Sequence, residues 1–553
     1  MATPEVQDQQ RVRRRAPERI IVPPDAGMHG TPALLAILGI MAVVLLSALD
    51  QTIVGTALPR VVADLGGFDL YAWVATSYLL TSTVMVPVMG KFGDLYGRKP
   101  FLLASVVIFV GASAVAGAAQ SMIWLIVARG VQGIGAGMLQ ATAFTSVSDM
   151  FPQPERRARW QGLITSTFGI ASVIGPSLGG IMTDSLGWRS VFYVNLPIGV
   201  LAVALIWLTL PSDLSPRTPN ARIDWAGAAT ITLAISALLL AVEWGGDTMP
   251  WASPQIIGLL ALSVTMIVSF GLIERRAPEP LLPLDLFEMP AILISSIISL
   301  LVGFALFALV YYTPLLFQGG FGISPSAAGA LQTPLAVSMA MGSLTSGQLF
   351  ARIRRMRPLL FTGATLLGFG SLLLLGSNTS SNLVLLSAEL ALTGFGVGLQ
   401  LPMLTILVQS IVPRHRLGVG TSTIQFTRLI GSTIGTAIVG AAVNGLYAAG
   451  VAAAAAPGTD PRLAAAFSDP QALVDPQALA QIQDLVGQVG ASQADLQQLL
   501  DAARNTLISS VHVGYMLSLG CAAAIFGLLL IMRVPDFRAA QPAPPAEDVV
   551  DLL

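Results

Sequence analysis

Apolar residues along this chain come in long blocks rather than in alternation with polar ones, and short charged or Pro/Gly-rich breaks separate the blocks. A helix needs about 20 mostly apolar residues to cross about 30 Å of hydrocarbon. The blocks reach that length and lack the period-two alternation of a barrel strand, so each predicts a membrane-spanning helix. Fourteen are read, at 33–58, 70–89, 101–119, 123–149, 160–183, 189–210, 224–244, 252–273, 290–316, 326–350, 358–376, 382–410, 417–444 and 506–533. Trp73, Trp124, Trp188, Trp225, Trp244 and Trp251 fall near span ends, as an interfacial belt would.

Composition agrees. Of 553 residues, 54% are hydrophobic and 11% charged, against about 45–50% and about 25% in soluble domains. A single Cys excludes a disulfide scaffold or a cysteine-ligated metal centre. Twenty-nine basic against thirty acidic residues leave no global charge to attract nucleic acid. His29, His415 and His512 are scattered and make no metal site. Lys and Arg collect in cytoplasmic loops. With the N-terminus inside, 23 of the 29 fall on that side, and only Arg60, Arg189, Arg462 and Arg504 fall outside. A missed span in mid-chain would invert every later loop, so the bias supports fourteen spans with both termini cytoplasmic. The cluster Arg11–Arg15 reads as a topology anchor on anionic lipid, and the first apolar run is too long for a signal peptide.

The chain repeats itself. Gly133–Gln140 recurs as Gly394–Leu401, Gly90–Pro100 as Gly347–Pro358, and Gly169–Gly180 as Gly431–Gly440, at offsets of 261, 257 and 262. Six spans occupy about 180 residues at this chain's density, so two additional spans fill the excess. The expected fold is therefore an all-α polytopic membrane protein with a cytoplasmic tail 1–32 and a six-helix bundle 33–210. A linker 211–289 with two inserted helices follows, then a six-helix bundle 290–533 and a cytoplasmic tail 534–553. Within the second bundle, 445–505 is expected as an extracytoplasmic loop with short helices at Pro476–Val489 and Ser492–Arg504, more a spacer than a cap. Parallel repeats with a site between them suit alternating access.

Gly90-Lys-Phe-Gly-Asp94-Leu-Tyr-Gly97-Arg98-Lys99 resembles the signature loop of the major facilitator superfamily. Leu49-Asp50-Gln-Thr52-Ile-Val-Gly-Thr-Ala57-Leu58-Pro59 is similar to the first-helix motif of its fourteen-helix drug:proton antiporters. Arg129-Gly-Val-Gln132-Gly133-Ile-Gly135 resembles the fourth-helix motif, and Gly169–Gly180, with Gly175, Pro176, Gly179 and Gly180, the antiporter motif of the fifth. Trp188-Arg189 and Asn195-Leu196-Pro197-Ile-Gly199 also look like this branch. The resemblance spans nearly the whole chain except 1–30, 445–505 and 534–553. It implies a major facilitator fold and a multidrug efflux pump of the bacterial cytoplasmic membrane. Two departures stand out: Ala351 and Arg352 occupy the place of Asp94 in the second copy of the loop, and Gly55 replaces a larger polar residue.

Charges within spans are expensive and usually face a water-filled cavity. Asp50 is read as the proton-coupling carboxylate, where a proton and a cationic cargo compete; Glu389, in the second repeat, is positioned to answer it across the cavity. Arg129, at similar depth, needs a carboxylate, carbonyl or water partner, and Gln132 shares its face. Glu243 reads as interfacial. Asp94 is expected to meet a helix N-terminus of the other half and to pair with Arg98, holding the cytoplasmic side shut. Gly175, Pro176, Gly179 and Gly180 give a kink and a smooth packing face between the halves. Tyr78, Gln132, Tyr311, Tyr312, Gln400, Met403, Gln425 and Arg428 are candidates to line the cavity. With no phosphate-binding loop, the expected energy source is a proton gradient and no cofactor is expected. The expected partners are protons, lipid and small amphipathic molecules with cations favoured, and the protein is expected to act as a monomer or with an envelope partner. Export of an endogenous lipid, siderophore or metabolite is the alternative; a receptor lacks an output domain, and an enzyme would need a catalytic cluster in the spans.

Overall fold

In the computed structural model each apolar block becomes a helix. Residues 27–535 are described apart from 68–69, 213–222, 247, 455–459, 475 and 490–492, together with 537. The Arg11–Arg15 cluster, Arg217 and Arg222, and most of both tails therefore lie outside the described residues. The first six spans are α1 (Gly30–Leu65), α2 (Tyr71–Tyr96), α3 (Arg98–Gly117), α4 (Met122–Met150), α5 (Pro154–Leu186) and α6 (Ser190–Thr209). Two inserted helices follow, α7 (Trp225–Trp244) and α8 (Pro254–Glu274). Then come α9 (Pro290–Leu315), α10 (Pro325–Ile353), α11 (Arg357–Leu374), α12 (Leu383–Ile411) and α13 (Leu417–Ala454). Short α14 (Pro461–Ala466) and α15 (Pro476–Val489) precede the last span, α16 (Gln493–Ile531).

Local sequence sets the starts. The side chains of Ser121, Asp224, Ser253, Ser324 and Asn382 each accept a backbone N–H in the first turn of α4, α7, α8, α10 and α12. Pro154, Pro254, Pro290 and Pro325 open their helices, where a missing N–H costs nothing. Among the described residues, thirteen helices are long and apolar enough to cross a membrane. The fourteenth expected span is α10, a 29-residue helix rich in Gly, Ser and Thr. It packs chiefly against α12 and α5, so protein rather than lipid meets its polar positions.

The repeat reappears as packing. A Cβ on Gly133 or Gly137 of α4 would collide with the Tyr78 or Ser82 carbonyl of α2, and one on Gly394 or Gly398 of α12 with the Leu335 or Met339 carbonyl of α10. Gly135 sits likewise on Phe109 of α3, and Gly396 on Leu367 of α11. Without side chains at these points the helix backbones touch, which is how helices associate when lipid supplies no hydrophobic drive.

The inserted pair packs on itself and lies against α2 and α13 through α7. Trp244 meets Trp73 edge to face at 5.8 Å, Trp225 meets Phe92 at 6.1 Å, and Thr76 Oγ1 donates to Glu243 Oε1 at 2.7 Å. Glu243 is thus held to α2 rather than simply placed in the interface. The stretch expected as the loop 445–505 is mostly helical: α13 runs on to Ala454 and α16 begins at Gln493, absorbing the expected Ser492–Arg504 helix. Phe467 and Leu473 are buried there, and Leu473 with Leu507 packs on Gly319 at the end of α9. The segment therefore docks on the second half and does more than space two helices apart.

Replacing Gly398 by Ala forces a methyl into the Met339 carbonyl and is expected to cost about 1–3 kcal/mol. Gly258→Ala on α8, where a Cβ meets nothing within 4 Å, is expected to be neutral. Thermal unfolding of the two variants in detergent, followed by tryptophan fluorescence, checks this.

Candidate functional site

Asp50 is 1% exposed, yet it lies in mid-helix of α1 with every side of its carboxylate engaged. Arg129 Nη1 of α4 forms an ion pair with Oδ2. Gln132 Nε2 and Asn195 Nδ2 donate to Oδ1 at 2.8 and 3.1 Å. Arg129 in turn donates to Gln132 Oε1 at 2.9 Å and to the Val74 carbonyl at 3.3 Å, and its guanidinium lies 4.3 Å from the ring centroid of Tyr78. Asn195 also donates to Ser113 Oγ at 2.9 Å. One carboxylate thereby ties α1 to α4 and α6, with α2 and α3 joined through its partners. Charge-assisted bonds of this kind are the strong ones, and removing one side of a buried pair typically costs about 3–5 kcal/mol. Asp50, Arg129, Gln132 and Tyr78 were singled out from the sequence; Asn195 was quoted only as part of a motif, because nothing in its spacing points to residue 50.

A second cluster closes the arginine-rich face. Asp94, near the end of α2, accepts from the backbone N–H of Gly418 at 2.7 Å and of Val419 at 2.9 Å, at the start of α13. A helix N-terminus favours a negative charge and offers free N–H groups. Arg98 Nη2 donates to Asp94 Oδ1 at 2.8 Å, and its Nε pairs with Asp149 of α4. Gly90 lets α2 touch α13: a Cβ there would run into Ser422. Gly97 turns the chain between α2 and α3 at φ 89°, and Lys99 donates to the Trp207 carbonyl instead of joining the cluster. Beside it, Gln161 Nε2 of α5 donates to Gln409 Oε1 of α12 at 2.8 Å. Arg157 Nη2 donates to Ser410 Oγ at 2.9 Å, and Arg354 pairs with Glu155 at 3.1 Å. Asp149, Arg157, Gln161 and Gln409 were not legible as partners, since each is an ordinary polar residue near a span end.

A major facilitator superfamily model matches residues 40–436. The chain belongs to the major facilitator superfamily. It is 40% identical over 410 residues to a multidrug transporter protein, MdtP, of Bacillus subtilis, covering 74% of this chain and 75% of that one. It is 37% identical to multidrug resistance protein 3 of the same organism, covering 74% and 80%. Two solved structures share the fold: the human organic anion transporter MFSD10 (TM-score 0.56, 16% identity, 88% of this chain and 100% of that one) and the proton:xylose symporter XylE (TM-score 0.54, 13% identity, 92% and 98%).

The remaining candidates of this transporter divide. Glu389 does not face Asp50. Gly370 of α11 packs on its carbonyl, and Gly396, two turns further along α12, packs on Leu367 of α11, so the α12 face that carries it turns into the second half. Gln400 and Met403 are fully buried and line no open space; Gln400 packs on Gly363 between α11 and α12. Tyr78 likewise belongs to the Asp50 network. Tyr312 donates to the Thr436 carbonyl at 2.9 Å, and Tyr311, half exposed, stacks on Phe307 at 5.8 Å. Gly175 and Gly179 pack on Thr52 and on Thr56 with Ile53 of α1, inside the first half rather than between the halves; Gly180 meets nothing. The contact of α5 with the other half is made instead by Gly162 and Gly169, against Ser343 and Ala336 of α10. A Cβ on Gly55 also meets nothing within 4 Å, so that position borders open space.

Asp94→Asn removes a charge from three bonds, each worth about 1.5–3 kcal/mol. The variant is expected to shift the protein about tenfold or more toward the state open at the arginine-rich face. Spin-label distances between α2 and α13 across the closure should lengthen; an unchanged distribution would contradict the clamp.

Proposed function

We propose that the protein exports amphipathic small molecules from the cytoplasm in exchange for protons, by alternating access. The observation that carries this reading is the buried Asp50–Arg129–Gln132–Asn195 network. It joins elements of the first half through a single titratable group. A proton on Asp50 removes the negative charge that Arg129 needs in a low-dielectric setting. The guanidinium must then find another partner, and α1, α4 and α6 repack around it. Proton binding is thereby linked to helix rearrangement without direct contact between proton and cargo. Direct competition between a proton and a cationic cargo finds no support in the geometry, because a cation would have to displace Arg129.

The clamp of Asp94 on the α13 N-terminus supports a resting state closed at the arginine-rich face, which the charge bias marks as cytoplasmic. From that state the opposite face is the one that opens, and an external proton enters there. Release of cargo outward and loss of the proton inward complete the cycle. The names of the two Bacillus relatives favour multidrug export over export of one endogenous lipid or metabolite.

In proteoliposomes with an imposed pH gradient, Asp50→Asn is expected to abolish gradient-driven accumulation of a fluorescent substrate, with loss of at least about a hundredfold. Size-exclusion profile and helical content should be preserved. Wild-type flux that ignores the pH gradient would sink the exchange reading outright.

A further inference from the structure

The second half carries an intramembrane cation that neither the Asp50 network nor the clamp uses. Arg428 lies about three turns, roughly 16 Å, along α13 from Leu417, near the middle of the span. Among the described residues its guanidinium has no ion pair and no hydrogen bond, and no ring lies beneath it. It is only partly exposed. A desolvated guanidinium without a partner is costly enough that such a group is retained where something else supplies the negative charge.

Its direction follows from the helix. Gly431 and Gly435 pack on Leu300 and Phe304, which marks the side of α13 that faces α9. Thr421, Gln425, Arg428 and Ser432, spaced by three or four residues, form another stripe. At the closed end of that stripe, Thr421 Oγ1 accepts from Gln409 Nε2 at 3.0 Å, and Gln409 is bonded to Gln161 of the first half. The stripe therefore looks at the junction between the halves, and two turns above the closure it carries Arg428 into the space between them. Of the intramembrane acids, Asp50 already accepts from Arg129, Gln132 and Asn195, and among the described residues no ion pair joins Glu389 to Arg428.

We propose that Arg428 binds the acidic group of an amphipathic cargo, a carboxylate, sulfonate or phosphate. The pocket then selects organic anions and zwitterions over organic cations, the reverse of the preference that a free Asp50 would give. A guanidinium offers a planar fork of donors that matches such groups in two-point contact. This rests on the export reading and names its substrate class.

The test is equilibrium binding of three dansyl probes to the full chain in phosphatidylcholine nanodiscs: dansylaminoundecanoic acid, its methyl ester, and dansylcadaverine. The acid is expected to bind about tenfold or more tighter than the ester. Arg428→Gln should erase that difference while leaving ester affinity unchanged, and Arg428→Lys should keep part of it. Equal binding of acid and ester by the wild type, tightest binding of dansylcadaverine, or an acid preference that survives in Arg428→Gln would each overturn the proposal. The wild-type comparison decides even if the Gln variant does not fold. Binding needs no gradient, so an acid preference without flux in proteoliposomes counts against export and not against this site.

Discussion

Hydrocarbon solvates no charge, and that constraint organises this molecule more than any contact within its apolar core. A carboxylate placed alone at the depth of Asp50 is costly, by about 2.5–3.5 kcal/mol even on the mildest scales. The chain answers by converging three donors on it from two other helices. Because those donors sit on α4 and α6, satisfying the charge also fixes how α1 packs. The same arrangement that makes the acid tolerable makes its protonation a structural event, since any change in its charge strands Arg129. Under the proposed exchange, stability and coupling are one problem, met by one set of side chains.

The closure of the arginine-rich face is built twice, with unequal chemistry. Gly90 of α2 touches α13 at Gly418, and Gly347 of α10 touches α5 at Ala158 and Gly162. These are corresponding positions at an offset close to that of the repeat. In the first contact a buried acid meets the N-terminus of α13. In the second, where Ala351 and Arg352 replace it, the charge has changed sides: Glu155 stands in the first turn of α5 and Arg354, in the left-handed region at φ 52°, comes from the end of α10. Both acids lie at a helix N-terminus, so the dipole favours each. The second pair is the more exposed, with side-chain exposures of 32% and 22% against 2% for both members of Arg98–Asp94. A partly solvated pair is weaker than a buried one that also takes two backbone bonds, which leaves the first-half loop as the stronger of the two fasteners.

Fourteen apolar blocks were legible because span length and charge bias are set by the bilayer and need no tertiary information. The duplication was legible because Gly at helix crossings cannot be replaced without separating backbones, as at Gly133 and Gly394. Partnerships were legible only where chemistry forces one. A buried Arg129 had to meet a carboxylate, a carbonyl or water, and it meets both an acid and a carbonyl. Asn195 and Asp149 were missed as partners because an amide or a terminal acid is satisfied by water as readily as by protein, so the residue type carries no signal. The direction of a side chain around its helix was the least legible property. Gln400, Met403 and Glu389 sit on spans expected to line the pocket, but a rotation of about 100° per residue turned them toward α11 or α16.

What separates the halves is therefore not their fold but how completely each neutralises its charges. In the first, Asp50, Arg129, Asp94, Arg98 and Asp149 are all bonded within the protein or to the facing helix end. In the second, among the described residues, Arg428 has no ion pair or hydrogen bond and Glu389 keeps a buried Oε2 unpartnered. A half whose charges are closed on one another responds chiefly when one of them changes protonation. A half with an open charge responds to whatever ligand completes it. If both halves were fully paired, cargo would have only apolar surface to hold and nothing by which to be told from membrane lipid. If both were open, the resting protein would bear uncompensated charges in hydrocarbon in each of its bundles. Under the proposed exchange cycle, dividing the two conditions between the repeats lets a proton act on one bundle and cargo on the other, with the closure at the arginine-rich face as the shared element that both must release.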